Sequence, residues 1–388
     1  MANWGDRGVS RRIVQSNNGL VNWGTAGSPN GIPIVQAGIL DRLRFLTTTG
    51  NVTLGGGTPP TGDVLGPFNL YNQFSLAPNS NTPIFQTSGY GAYLIDLIKS
   101  LESFPASADT NVINVAQLEP LVDVYQYPSV TGSPMKFMIP IPVSQRLGSL
   151  PFPVGMIDLA DPNVQMTFSY TPNGTSAASP FNIYSSTIGS GPYSGGATTP
   201  TATVATPQVS LIRELWSTPT AANAGVLAQP AAGIAMSLFD FISAWYEEPP
   251  PGSTLNSAAT WQWTAKVNSG FLARLACYIF DGGTNAGIAV SKLVNDNSFV
   301  VSTDNSTPRY TESGLAALSR MHDLYGFEFP LGTYVWDFLG RDLTLSDVMN
   351  TKDTANIQLT ANLSTALGTP NSAVKILRQM LIPINNAA

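Results

Sequence analysis

The chain has 388 residues, of which only 11% are charged, with 35 glycines, 30 prolines and a formal net charge of −6. That acidic balance argues against wrapping nucleic acid, which needs a basic face to displace counterions. One histidine and one cysteine leave no intrachain disulfide, no thiolate pair for a metal and no multi-histidine site.

A hydrophobic content of 43% with 10% aromatics is enough to pack cores, and the length suits two all-β domains of roughly 200 residues each. No apolar run approaches ~18 residues and the first residues lack a hydrophobic stretch, so synthesis in the cytoplasm without Sec export is expected. Sparse charge with much Asn, Thr, Gly and Pro suits a surface that meets other protein over a large area.

Residues 1–33 read as an arm without sustained periodicity. Trp4 and Trp23 bracket Arg7, Arg11 and Arg12, and these five are the candidate interaction residues, placed to tie neighbouring subunits together or to approach an acidic inner layer. Strands are expected at 34–49 and 68–76, after a Gly/Pro-rich turn. The spacing of Tyr90, Tyr93, Leu94, Leu97, Ile98 and Leu101 predicts a helix capped by Ser88. Strands follow at 121–127, 137–143, 154–159 and 164–170, and Pro140 and Pro142 confine the second of these to an edge or bulge. Residues 171–207 are rich in Gly, Ser, Thr and Pro and read as a long surface loop. A strand at 209–216 closes a first domain, 34–225. The second, 226–388, opens on a helix-like patch at 234–245. Glu247 and Glu248 before three prolines read as a solvated turn. Strands at 261–280, a helix at 311–325 and strands at 327–339, 357–363 and 373–384 complete the chain.

The halves echo one another. NVQMTFSY, starting at Asn163, recurs as NIQLTANL 193 residues later. SGYGAYL and SGLAAL, FMIP and FEFP, and VSLIR and VKILR flank these copies in the same order. Alternating strands resemble one another by composition, but order is harder to obtain by chance, so a duplicated domain is expected.

Catalytic chemistry finds little support. His322 lies on a predicted helix beside Asp323, where an exposed or helix-terminal place is expected. The Ser133-to-Lys136 spacing matches Ser-x-x-Lys, but Pro134 breaks the helix that motif needs. Cys277 sits in an apolar run and reads as a buried small residue. No catalytic, cofactor or metal residue is assigned, and the chain reads as no enzyme.

The order of GPFNLYNQFSLAPNSNTPIFQTSGYGAYLIDLI, KFMIPIPVSQ, NVQMTFSY, CYIFDGGTNAG, FEFPLGTYVWDF and VKILRQMLIPI resembles the double jelly-roll major capsid proteins of tectivirus-type phages, which are tailless and contain an internal membrane. The resemblance spans roughly residues 34–384. It implies an all-β fold of two eight-stranded jelly-roll barrels side by side, with a few short helices in loops. It further implies a homotrimeric, pseudo-hexagonal capsomer in the icosahedral virion, meeting neighbouring capsomers, penton and minor capsid proteins and the internal membrane, with no cofactor and no sequence-specific nucleic acid. The alternative is a carbohydrate-binding or adhesive β-sandwich such as a spike, which would use exposed Trp and Tyr in its loops.

Overall fold

A computed structural model describes residues 12–24, 27–54, 68–79, 82–102, 133–148, 153–160, 164–172, 202–204, 208–216, 241–248, 260–266, 270–281, 286–303, 308–345, 347–351, 356–367 and 372–383. Among them, sixteen principal strands and two helices fall into two sets with the same internal order.

The first set is β1 (Arg12–Ser16), β2 (Asn30–Pro33), β3 (Ile39–Leu54), β4 (Tyr71–Pro78), β5 (Phe85–Thr87), α1 (Gly89–Ile98), β6 (Ser133–Pro142), β7 (Met166–Pro172) and β8 (Gln208–Trp216). The second is β9 (Phe241–Glu248), β10 (Thr260–Lys266), β11 (Phe271–Asp281), β12 (Phe299–Thr303), β13 (Tyr310–Glu312), α2 (Gly314–Tyr325), β14 (Thr333–Asp337), β15 (Asn356–Asn362) and β16 (Ala373–Pro383). Pairing repeats with the order. The first set forms sheets β1-β8-β3-β6 and β2-β7-β4-β5; the second forms β9-β16-β11-β14 and β10-β15-β12-β13. Each set is an eight-stranded jelly roll, two four-stranded antiparallel sheets face to face. Short strands at Val21–Asn22, Ile157–Asp158 and Ala202–Val204 flank the first roll, and Ala286–Gly287 and Met349–Asn350 flank the second.

The repeat extends to a defect. β3 is bulged where it leaves β8, with Arg42 opposite Glu214 but Leu40 opposite Leu215. β11 is bulged at the matching place, with Arg274 opposite Gln379 but Leu272 opposite Met380. A bulge adds one unpaired residue and re-aims the strand, so Asp41 and Ala273 are counterparts. The copy NVQMTFSY overlaps β7 and NIQLTANL contains β15, and these strands hold the same place in their rolls.

Each roll closes on aromatic side chains. Phe45 lies 4.9–5.3 Å from the rings of Tyr71, Phe74, Phe168 and Tyr170, and Phe299 meets Tyr334 and Trp336 at 4.4 and 5.5 Å. The tilted and edge-on contacts among them match the quadrupole preference of such pairs. The first helix starts at its expected cap, Ser88, whereas the second, expected from residue 311, starts at Gly314 because Tyr310–Glu312 forms β13. The hydroxyls of Ser88 and Ser313 accept from the N–H groups of Gly91 and Ala316, and α2 stops at Gly326, whose φ of 76° suits a glycine.

Several expectations need correction. Residues 12–33 are not an unpatterned arm: β1 pairs with β8 and β2 with β7, so the first roll begins at β1. Their shortness hides them, since β1 has a single inward apolar residue, Ile13, and β2 contains both Gly31 and Pro33. The part of the helix-like patch that is described, Phe241 onward, is a strand. The FEFP echo of FMIP is out of place: Phe137 lies inside β6, whereas Phe327 and Phe329 precede β14 and pack on Tyr325. Within the expected long loop, Ala202–Val204 pairs with Val52–Leu54 of β3. The predicted strand at 121–127 and most of 171–207 lie outside the described residues.

Candidate assembly interface

The two rolls meet along a seam made by one nonlocal pairing. β5 runs parallel to β9, with Phe85 opposite Trp245 and Gln86 opposite Tyr246, and the Trp245 N–H donates to the Ile84 carbonyl at 2.9 Å. This joins the β2-β7-β4-β5 sheet to the β9-β16-β11-β14 sheet, so a single ten-stranded sheet crosses both rolls. Its faces change meaning at the join. The face of β9, β16 and β11 that points out of the second roll is covered by the first.

Sequence patterning reflects that covering. β15 alternates half-buried and buried residues, as a strand with one solvated face should. In β11, FLARLACYIFD, every residue after Phe271 is buried, because one face packs in the second roll and the other against the first. Cys277 is among them, and burial pushes its thiol up, away from the reactive thiolate.

Two polar clusters hold the seam. At the first, the Ser88 N–H and hydroxyl donate to Glu247 Oε2 at 2.6 and 2.7 Å, the Tyr278 hydroxyl donates to Oε1 at 3.0 Å, and Lys375 Nζ lies 3.2 Å from Oε1. A carboxylate at the start of α1 meets its free N–H groups and the positive end of its dipole. Burial, with the Glu247 charge second, raises the Tyr278 phenol well above its ordinary value. The approach is tight, since a Cβ on Gly91 would collide with Glu247 Oε2. Glu247 is therefore no solvated turn; nor is Glu248, which accepts from Trp263 Nε1 at 3.0 Å and pairs with Arg378 at 2.5 Å.

At the second cluster, the fully buried Arg274 donates Nε to Asp337 Oδ2 at 2.8 Å and Nη1 to the side-chain carbonyls of Gln145 and Gln379 at 3.1 and 3.0 Å. Gln145, from the first roll, also accepts from Gln379 at 2.6 Å and from Lys99 at 3.2 Å. The Tyr325 hydroxyl donates to Asp337 at 2.8 Å. A buried cation so well supplied with acceptors fixes which face meets which, because sliding the rolls would strand charges away from water.

Of the residues singled out from sequence, Trp4, Arg7 and Arg11 lie outside the described residues, and Arg12 begins β1. Trp23 is a core residue, 5% exposed with its ring 5.0 Å from Tyr71. His322 is exposed on α2. Among the described residues no cluster of His, Cys, Asp or Glu could hold a metal, and no helix is long and apolar enough to cross a membrane. Sequence reasoning missed β5, β9 and the Arg274 cluster; the signal available was the arginine set within the apolar run of β11.

No sequence profile of a known family and no curated protein matches the chain. Solved structures do. The MCP of STIV, Sulfolobus turreted icosahedral virus, superposes with a TM-score of 0.63 at 12% identity over 97% of both chains. PBCV-1 VP54, in a structure fitted into a reconstruction of the virophage Sputnik, gives 0.61 at 12% identity over 96% of this chain and 94% of its own. The Faustovirus major capsid protein gives 0.50 at 9% over 96% and 90%. With the strand order above, this likeness defines the class: the chain is a double jelly roll, two rolls in one polypeptide. Its fold is the one seen in these viral capsid proteins.

Proposed function

We propose that the chain is the major capsid protein of an icosahedral virus, working as a homotrimer and performing no catalysis. The observation that carries this is the welded seam. A continuous sheet and two buried polar clusters join the rolls into one block, and three such blocks about a threefold axis supply six rolls, a pseudo-hexagonal tile for a closed shell. The likeness to capsid structures over nearly the whole chain supports the same reading.

On this reading the first roll starts at β1 and the second at β9. Its partners are neighbouring capsomers, penton and minor capsid proteins and, in a tectivirus-type particle, an internal membrane. The residues before β1, with Trp4, Arg7 and Arg11, would dock on a neighbour. The adhesive reading, which would use exposed Trp and Tyr in its loops, gains no support from the six described tryptophans, five of them buried and Trp216 half-buried.

Light scattering after size exclusion tests the proposal. Three chains of 41.1 kDa, about 123 kDa in all, are expected, with interfaces above ~2,000 Å² that resist dilution. A monomer at micromolar concentration that binds an oligosaccharide would overturn it.

A further inference from the structure

Charge is divided unequally between the two sheets of each roll. Every strand of β1-β8-β3-β6 and of β9-β16-β11-β14 carries at least one charged residue, among them Lys136 and Glu214 in the first roll and Asp337 and Lys375 in the second. The strands β2, β4, β5 and β7 carry none. Their counterparts β10, β12, β13 and β15 carry only Lys266, the last residue of β10, and Glu312. Glu312 turns inward, accepting from Trp336 Nε1 at 2.7 Å and pairing with Arg320 at 2.8 Å. The same sheet is thus nearly free of charge in both rolls.

Register shows what those sheets turn outward. Residues directly opposite one another in a ladder share a face. Gly31, Ser169, Ser75 and Gln86 form one row across β2-β7-β4-β5, and Gln262, Thr360, Val300 and Thr311 form one across β10-β15-β12-β13. None of these is buried, and Gly31, Gln262 and Thr311 are exposed. The intervening residues, Phe168 and Phe74 in one roll and Trp263 and Leu359 in the other, are the buried ones. Adjacent rows add Thr167 and Thr264, both exposed, and Ser302, 8% exposed. The outer faces are therefore built of hydroxyls and amides.

A sheet face that met only water would gain solubility from Lys and Glu, whereas charge is depleted where protein surfaces bury one another, because an uncharged hydroxyl or amide costs less to desolvate than an ion. Ser, Thr, Asn and Gln each donate and accept, so a face made of them complements any face of the same kind. The seam works the other way, with Glu247 and Arg274 fixing a single register through charge. We infer that the outer faces of β2-β7-β4-β5 and β10-β15-β12-β13 are where one trimer meets the next, each face accepting either face of a second copy. A tile with both rolls on its sides brings like and unlike rolls together around a shell. Charges on those sides would favour some meetings and oppose others; uncharged faces admit them all. The inference rests on the trimer reading and deepens it by naming the surface between trimers.

Sedimentation velocity of purified trimers over rising concentration tests this. Wild-type trimers should associate into larger species. T167K/Q262K, with one lysine on each face at exposed positions, should stay trimeric with the wild-type circular dichroism, even though the lysines reduce the net negative charge that keeps chains apart. Either lysine alone should weaken association. The larger species should return at about 1 M salt, where charges are screened beyond about 3 Å, and T167S/Q262T, which adds no charge, should behave as wild type. If T167K/Q262K trimers associate as wild type does, if salt fails to restore association, or if wild-type trimers stay apart at every concentration, the faces are not the contact and the trimer reading stands. A folded but monomeric T167K/Q262K would place the faces inside the trimer and sink the inference alone. If wild type is itself a monomer, the trimer reading fails and takes the inference with it.

Discussion

Arg42 and Arg274 occupy the same place in the two rolls, one residue past the shared bulge on the third strand, and the structure uses them differently. Arg274 is wholly buried, with Asp337 opposite it on β14 and Gln379 opposite it on β16. Arg42 is half-buried, with Pro142 opposite it on β6 and Glu214 on β8. The same alternation thus gives an outer face tolerant of water in β3 and a dry polar junction in β11. What differs between the rolls is the neighbour each face meets rather than the barrel itself. A duplicated fold lets one copy specialise in holding the other.

The coarsest probe of that contrast acts on both rolls at once. Burial raises the phenol of Tyr71 in the first roll, and of Tyr278 and Tyr325 in the second, well above the ordinary value, and that of Tyr170 to about 12. A raised folded-state value favours the neutral phenol in the fold. The stability tied to these groups is therefore whole below about pH 10 and lost as pH climbs through the folded-state values. In an alkaline titration, phenolate absorbance from these residues should rise together with loss of the β circular dichroism signal. Phenols that all titrate near 10 with the fold intact would contradict the burial described.

Arg274→Ala separates the rolls. Removing the cation leaves the Asp337 carboxylate buried with the Tyr325 hydroxyl and the Leu339 N–H as its remaining donors, a loss of about 3–5 kcal/mol. Arg42→Ala, at a half-solvated position, should cost about 1 kcal/mol or less. Urea midpoints of the two variants measure this; equal shifts would mean that the equivalent faces are covered alike.

Gly91→Ala is the next step down. The new methyl must displace the Glu247 carboxylate from the start of α1, at about 1–3 kcal/mol, whereas Ala316→Gly on α2 should cost about 1 kcal/mol or less through backbone entropy. Adding Glu247→Ser to Gly91→Ala removes the colliding carboxylate and should recover part of the loss. Strict additivity in that double-mutant cycle would show that the two side chains do not share the space.

Within each roll much of the fold was legible, because the forces are local and periodic. Ser88 announces its helix, and β7, β15 and β16 carry patterns that match their burial. The seam was not legible as a contact. β5 has three residues and pairs in parallel with a strand more than 150 positions on, and nothing in the sequence of either names the other. Glu247 and Glu248 read as solvated because two adjacent acids before prolines usually are; here the first faces the adjoining roll and the second its own. Arg274 breaks the apolar run of β11 in sequence, and in the fold it holds Asp337, Gln145 and Gln379. The candidate interaction residues were drawn from tryptophan and arginine in the first 23 positions, where the two described members, Arg12 and Trp23, belong to β1 and to the core.

The finest contrast is between the two caps. The Ser313 hydroxyl accepts from Ala316 N–H at 3.2 Å on an exposed surface, so Ser313→Ala should cost about 0.5–1 kcal/mol, the usual loss of a helix cap. The Ser88 hydroxyl accepts from Gly91 N–H at 3.0 Å and also donates to Glu247 at 2.7 Å. Ser88→Ala loses the cap together with one donor to a carboxylate whose side chain is 4% exposed, and hydrogen bonds to charged groups contribute more than neutral ones. A cost of about 2 kcal/mol follows. Part of that difference should vanish in an Glu247→Gln background, since a neutral amide asks less of its donors, while Ser313→Ala should be indifferent to the change. Thermal denaturation of the four single and double variants decides it. If Ser88→Ala and Ser313→Ala cost the same in both backgrounds, the carboxylate is solvated after all, and the first roll does not grip the second through the start of α1.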